Sequence, residues 1–276
     1  MEKRLKIMSR IQEHLDHYKN VMNGTDESWV GIFLQGSQNY GLDYDGSDID
    51  TKIIVLPEIN DVILNHRPIS TTSILPNDEH MDVKDIRLMF ECFKKQNINF
   101  VEILFTDYAI INPLYADEIG LLLKHREEIG RYNNYAAISC MMGTVNEKYK
   151  ALKKPHPSAA GVVENYGYDP KQLHHMQRIL EFCQRWINGE PYADCLKSRQ
   201  RELLIRLKCI GVDEAFADFT ASQIVKSMED LTGVYKNEHP IQIRSEVDTL
   251  LKSVLTSIIR KRFILELGEE LRNESP

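Results

Sequence analysis

Long apolar runs are missing from this chain, and its cysteines are few and scattered. No stretch approaches the roughly 18 to 20 apolar residues that span a bilayer, so no membrane-spanning helix and no membrane partner are expected. Residues 1–20, MEKRLKIMSRIQEHLDHYKN, are charged throughout and hold no apolar h-region, so no signal peptide is read there. The five cysteines (Cys92, Cys140, Cys183, Cys195 and Cys209) are odd in number and contain no C-x-x-C pair. They read as reduced thiols of a cytoplasmic protein, not as a zinc site or a disulfide frame. Repeats and low-complexity tracts are absent. Excess positive charge is lacking as well: the net charge of −7 argues against indiscriminate nucleic-acid binding while leaving room for a local basic groove. What is present is 276 residues at 42% hydrophobic content, enough for a buried core and for two modest domains.

Leu5, Met8, Ile11, Leu15 and Tyr18 recur at helical spacing and predict an amphipathic helix over 3–20, ended by Asn23-Gly24-Thr25. Trp29–Leu34 and Ile49–Leu56 are short β-rich runs joined by a Gly-rich connection. Several Pro and Asn make 57–79 a loop-rich excursion. The stretch HMDVKDIRLMFECFKK then reads as a strand entering a helix, with Ile86, Phe90 and Phe93 on one face. INFVEILF fits either a strand or a buried helical turn, because periodicity does not separate the two. Beyond about residue 115 the patterns are helical, over roughly 133–153, 170–188, 197–209, 213–236 and 241–270. Breakers such as KKPHPSAAG, NGEPYAD and NEHP separate them. The expected fold class is therefore α/β (α+β): a domain over 1–115, then an all-helical domain over 116–276, with a soft boundary between 110 and 132.

The connection between the first two strands, FLQGSQNYGLDYDGSDIDTKIIVL, crowds Asp43, Asp45, Asp48 and Asp50 together. An EF-hand register fails there: with Gly46 at position 6, Gly41 falls at position 1 and Lys52 at position 12. An ordinary acidic turn leaves unexplained why Asp48 and Asp50 flank Ile49 at the start of an apolar strand. Residues i and i+2 of a strand face the same side, so both carboxylates address one spot. Like charges so placed are costly unless a cation neutralises them. Oxygen ligands of this kind suit Mg²⁺ or Mn²⁺, bound together with substrate phosphates. Gly36 and Ser37 supply a complementary half, a close backbone approach and a hydroxyl donor for an anion.

Gly36-Ser37 followed by Ser47-Asp48-Ile49-Asp50 resembles the signature of the polymerase-beta nucleotidyltransferase superfamily. The longer run Gly36-Ser37-Gln38-Asn39-Tyr40-Gly41-Leu42 is similar to a narrower group, the bacterial and phage nucleotidyltransferases linked to RNA repair. DIRLMFECFKKQNINFVEILF resembles that group's helix followed by N-P-N-x-x-E-x-L-F, with Ile98 where proline is usual. YGYDPKQLHHMQRILEFCQRWINGE resembles its Lys-containing helix ending in a Gly turn. The likeness covers roughly 30–210. It implies a mixed sheet with flanking helices and transfer of a nucleoside monophosphate from NTP to a hydroxyl acceptor, with release of pyrophosphate. Asp48 and Asp50 would hold magnesium ions, with Gly36, Ser37 and Ser47 beside the nucleotide.

The resemblance implies a third carboxylate, which holds the nucleophile-side metal and can help deprotonate the acceptor hydroxyl. Asp82, between Met81 and Val83, is the first choice. Glu102 is the rival, its alternative role being a buried acid paired with a nearby Lys or Arg. Asp85 comes third, since its place suits a first helical turn. In DPKQLHHMQRIL, Asp169 and Pro170 fit an N-cap and first turn, and Lys171, His174, His175 and Arg178 then share one helical stripe. That stripe is either a solvated face or a triphosphate grip, with Lys171 and Arg178 as the nucleotide-binding pair. The basic stretches KYKALKKPH and KSRQRELLIRLK are either ordinary surfaces or tracks for an RNA backbone. The leading expectation is a cytoplasmic, metal-dependent nucleotidyltransferase using NTP, with an RNA end as acceptor. Its rivals are antibiotic-type transfer to a small molecule and a non-catalytic, antitoxin-like partner protein. Against the last, a pure scaffold gains nothing from two juxtaposed carboxylates.

Overall fold

A computed structural model describes residues 2–154 and 160–273; most of the KKPHPSAAG breaker lies outside them. Five strands form one mixed sheet in the order β3-β4-β2-β1-β5. They are β1 (Trp29–Gln35), β2 (Asp50–Val55), β3 (Ser70–Ile74), β4 (His80–Asp85) and β5 (Ala109–Ile111). β1 pairs antiparallel with β2 and β5, β4 runs parallel to β2, and β3 closes the far edge antiparallel to β4. The central strands β1 and β2 are buried on both faces, which is why they read as almost unbroken apolar runs.

Behind the sheet lies α1 (Glu2–Val21). Its Ile7, Ile11, Leu15 and Tyr18 pack with Ile32, Leu34, Ile49, Ile53, Met81 and Val83. The expected stripe holds at Ile11, Leu15 and Tyr18, with Met8 partly buried against the same cluster; Leu5 is exposed instead, and Ile7 and His14 join the buried face. Spacings of four and three from Ile7 keep Ile11, His14 and Tyr18 over the sheet, and Leu5 falls on the opposite side.

The front of the sheet is covered by helices. Asp85 caps α4 (Ile86–Lys94), accepting from the Arg87 amide, and Ile86, Met89, Phe90 and Phe93 turn inward. INFVEILF is helical, as α5 (Ile98–Val101) followed by a 3-10 turn over Glu102–Phe105. After β5 come α6 (Ala116–Lys124), α7 (Arg126–Ile129), α8 (Asn134–Ala151), α9 (Ala160–Tyr166) and α10 (Pro170–Ile187). The chain continues through α11 (Tyr192–Leu196), α12 (Arg201–Cys209), α13 (Glu214–Glu238) and α14 (Ser245–Asn273). α10 is the hub: Asp169 caps it, Pro170 opens it, and it packs on α8, α11, α12 and α13. One apolar cluster links the sheet front (Val30, Phe33, Ile54) with α10 (Leu173, Met176, Ile179) and α14 (Leu251, Val254, Ile258). A register shift between Trp29 and Gly31 lets Val30 join Phe33 on that face. No described helix is long and apolar enough to cross a membrane.

Two strands fall where the sequence shows no strand pattern. The 57–79 excursion contains α3 (Ile59–Ile63) and β3, whose STTSI is largely exposed because an edge strand needs no apolar face. β5 is only three residues long. β2 also begins at Asp50, so Asp48 and Ile49 precede the strand instead of opening it.

Candidate active site

A cavity of about 300 Å³ opens between the sheet front and the helices. Of the residues expected at the site from the sequence, all but Asp85 line it: Gly36, Ser37, Ser47, Asp48, Asp50, Asp82, Glu102, Lys171 and Arg178. Its residues fall into an acidic wall, a buried floor and a basic wall.

The acidic wall comes from the sheet. Asp48 and Asp50 address the cavity although Asp48 lies outside the strand, because Ile49 between them is drawn into the apolar layer behind the sheet. Asp50 Oδ1 accepts from the His80 amide at 3.0 Å. Gly36 turns beside it with φ 82° and ψ −151°, a conformation essentially confined to glycine. A Cβ built at Gly36 would lie 3.9 Å from Asp50 Oδ2. Asp82 stands in register with Lys52 across the β2–β4 pair. Its Oδ1 accepts from Thr72 Oγ1 at 2.6 Å and its Oδ2 from Gln35 Nε2 at 3.3 Å. Asp85 does not reach the cavity; it caps α4 and pairs with Arg87 at 2.6 Å.

The floor is a buried polar set. Lys52, only 2% exposed, donates to the Asn99 carbonyl and lies 4.4 Å from the Phe100 ring centre. Burial pushes its ammonium below the ordinary lysine range, opposed by Glu102 and Asp82. Glu102 accepts from the Tyr40 hydroxyl. Burial raises the Glu102 carboxyl, and Lys52 acts against that rise. Burial and the Glu102 charge raise the Tyr40 phenol. Glu102 thus has the surroundings of an acid buried beside a lysine, whereas Asp82 keeps part of its carboxylate open.

The basic wall belongs to the helices. Lys171, His174, His175 and Arg178 of α10 all line the cavity, joined by Lys148 of α8 and Lys208 of α12. The stripe is not a solvated face: His174 and Arg178 are each 5% exposed. The Arg178 guanidinium lies 3.9 Å over the Tyr40 ring, and its Nε and Nη1 are buried without a hydrogen-bond partner. His174 Nδ1 donates to the Leu204 carbonyl at 2.8 Å, and burial takes this imidazole down to about 4. Burial, then the Arg178 charge, hold His175 well below the ordinary histidine range. Desolvation lowers Lys208 too, with Lys171 next in effect.

Lys52, Tyr40, Lys148 and Lys208 are site residues that the sequence reading did not place here. Lys52 had a signal, since it continues the alternation of Asp48 and Asp50. Lys148 and Lys208 begin and end the two basic stretches. Lys153, inside the first, is instead held by Glu214 and Asp218 at 2.7 and 2.6 Å.

Among the described residues, no three His, Cys, Asp or Glu side chains gather into a ready-made metal cage. Magnesium does not require one, since it binds through one or two carboxylates plus substrate phosphates and keeps several waters. Asp48 and Asp50, with cations facing them across the cavity, fit that donor set.

No protein-family model and no curated protein matches the chain. Among solved structures it is similar to a nucleotidyltransferase-like protein from Exiguobacterium sibiricum 255-15, at 14% identity over 91% of each chain, with a TM-score of 0.31.

Proposed function

We propose that this protein is a metal-dependent nucleotidyltransferase that moves a nucleoside monophosphate from NTP to a hydroxyl acceptor and releases pyrophosphate. One observation carries the reading: Arg178 is buried on the basic wall with two unpartnered nitrogens, facing a wall of aspartates. An orphaned charged donor is costly, and an anion is the ligand that relieves it. A triphosphate complexed with a divalent cation matches both walls at once, the cation toward Asp48 and Asp50, the phosphates toward Lys171 and Arg178. Mg²⁺ or Mn²⁺, when bound, supplies charge neutralisation for an in-line displacement. Ser37 and Ser47 offer hydroxyl donors to the nucleotide, and Gly36 leaves room beside Asp50. Asp82, held by Thr72 and Gln35, takes the acceptor's proton. In this scheme residues 1–115 form the catalytic domain, and the helical domain over 116–276 supplies the phosphate grip.

An RNA end is the acceptor we favour, because each of the two basic stretches delivers one lysine, Lys148 and Lys208, to the cavity wall. The test is incubation with each labelled NTP, Mg²⁺ and total RNA, beside Asp48→Asn and Asp50→Asn. The expected result is labelled RNA from the parent protein and none from either variant, both folding as well as the parent. Labelled small metabolites without labelled RNA would support the antibiotic-type reading, and full activity in either variant would remove the aspartates from the mechanism.

A further inference from the structure

Asp48 and Ile49 precede β2, so the strand ladder does not fix them. What holds this segment comes from the start of β4 and from α1. Glu79 Oε1 accepts from the Ile49 amide, the peptide N–H between the two aspartates, at 3.3 Å. The next residue, His80, donates its own amide to Asp50 Oδ1 at 3.0 Å. Glu79 is itself 8% exposed and fully engaged on its other oxygen. Oε2 accepts from Arg10 Nε at 3.1 Å, from Arg10 Nη2 at 2.7 Å and from His14 Nε2 at 2.9 Å.

His14 has no exposed surface, and its Nδ1 lies 2.7 Å from Thr51 Oγ1. Burial holds the imidazole below its ordinary value, so it is neutral and carries one proton. An ionised carboxylate only accepts, so that proton sits on Nε2 and Thr51 donates to Nδ1. Thr51, His14 and Glu79 thus copy the order of a nucleophile–base–acid triad. Thr51 and His14 are nevertheless both fully buried, and none of the three lines the cavity, so no substrate atom can reach the hydroxyl. The arrangement points away from a nucleophile and toward a brace.

The geometry points to Glu79 as a positioning residue, set by Arg10 and His14 of α1, that fixes the Asp48–Ile49–Asp50 segment for metal binding. This rests on the reading of Asp48 and Asp50 as metal ligands. Outer partners of this kind are worth about 10- to 100-fold in metal affinity where they have been removed from other metal sites. A second tie runs the same way: Lys3 of α1 pairs with Asp43, upstream in the same loop, at 2.6 Å.

The test is Mn²⁺ titration in the presence of a non-hydrolysable ATP analogue, followed by electron paramagnetic resonance, with thermal melting of every variant. Asp50→Asn reports whether the metal is at the aspartates. Glu79→Gln keeps the shape and one acceptor but removes the charge that orders Arg10 and His14. His14→Gln retains a donor toward Glu79, and His14→Leu does not. Ile11→Ala, on the same helix and fully buried, loosens α1 without touching Glu79. We expect Glu79→Gln and His14→Leu to lose about tenfold or more in Mn²⁺ affinity, with His14→Gln close to the parent. Ile11→Ala should melt lower yet bind Mn²⁺ normally. Equal losses in Ile11→Ala and Glu79→Gln at matched stability would reduce the brace to fold support and overturn the proposal. If Asp50→Asn lowers affinity and Glu79→Gln does not, the brace alone fails. If Asp50→Asn leaves affinity unchanged, the metal reading fails and the brace with it.

Discussion

Replacing Arg178 with methionine separates the strain of an unfilled anion site from the loss of a packing contact. Nε and Nη1 are buried without acceptors. Two such groups cost about 1 to 3 kcal/mol each. The Tyr40 ring, 3.9 Å from the guanidinium, returns about 2 kcal/mol of that. The balance is about 2 kcal/mol against the ligand-free fold. Methionine keeps an unbranched apolar stem and requires no acceptor, so Arg178→Met should melt about 4 °C above the parent without ligand. With nucleotide the gap closes. Losing charge-assisted hydrogen bonds worth about 1.5 to 3 kcal/mol weakens affinity by roughly 10- to 150-fold. At a Mg²⁺–ATP-analogue concentration about 100 times the parent's Kd, the parent gains about 2.7 kcal/mol. The variant, at the same concentration, gains about 0.3 to 1.4 kcal/mol. Differential scanning fluorimetry across a ligand series therefore shows two converging curves, the variant's lead of about 2 kcal/mol shrinking to between about +0.7 and −0.4 kcal/mol. A variant that melts lower without ligand and shifts as far as the parent with it would refute the anion-site argument.

Asp82→Asn should abolish transfer in a protein that melts normally, whereas Glu102→Gln should lower the melting temperature by removing the buried carboxylate that accepts from Tyr40 and offsets the Lys52 charge. Turnover and melting of both variants decide it, and if only Glu102→Gln destroys turnover while folded, the third carboxylate is Glu102. His174 predicts a pH effect on stability. Its folded value of about 4 lies below the unfolded histidine value, so its contribution is fully present above about 6.5 and is lost as pH falls toward 4. That loss, about 3 kcal/mol over the window, should flatten in His174→Asn, read from urea titrations at several pH values.

The parts of the site legible in sequence are those whose geometry is local. Asp48, Ile49 and Asp50 disclose a shared face because Ile49 must go inward, and Lys171, His174, His175 and Arg178 disclose a stripe because helical spacing requires it. What escapes is tertiary. Nothing local marks Lys52 as a buried ammonium, since its cover is the Asn99 carbonyl and the Phe100 ring from another element. Lys148 and Lys208 meet only because α8 and α12 both pack on α10. The same limit applies to the fold. The long helices after residue 130 stand out by periodicity, but the edge strand STTSI, exposed along most of its length, has no alternation to read.

The two walls of the cavity are also separated in time. The carboxylates are all present once Asp82 has been made, and the last cation of the basic wall is Lys208. At about 5 to 20 residues per second, a ribosome needs roughly 6 to 25 s to go from one to the other. Until α10 has been made, the growing chain carries the aspartates without Lys171 and Arg178, and Phe33 and Ile54 without Leu173 and Ile179 over them. Under the proposed reading, the phosphate grip of Lys171 and Arg178 is made only after the whole sheet, so nucleotide cannot template the folding of the strands.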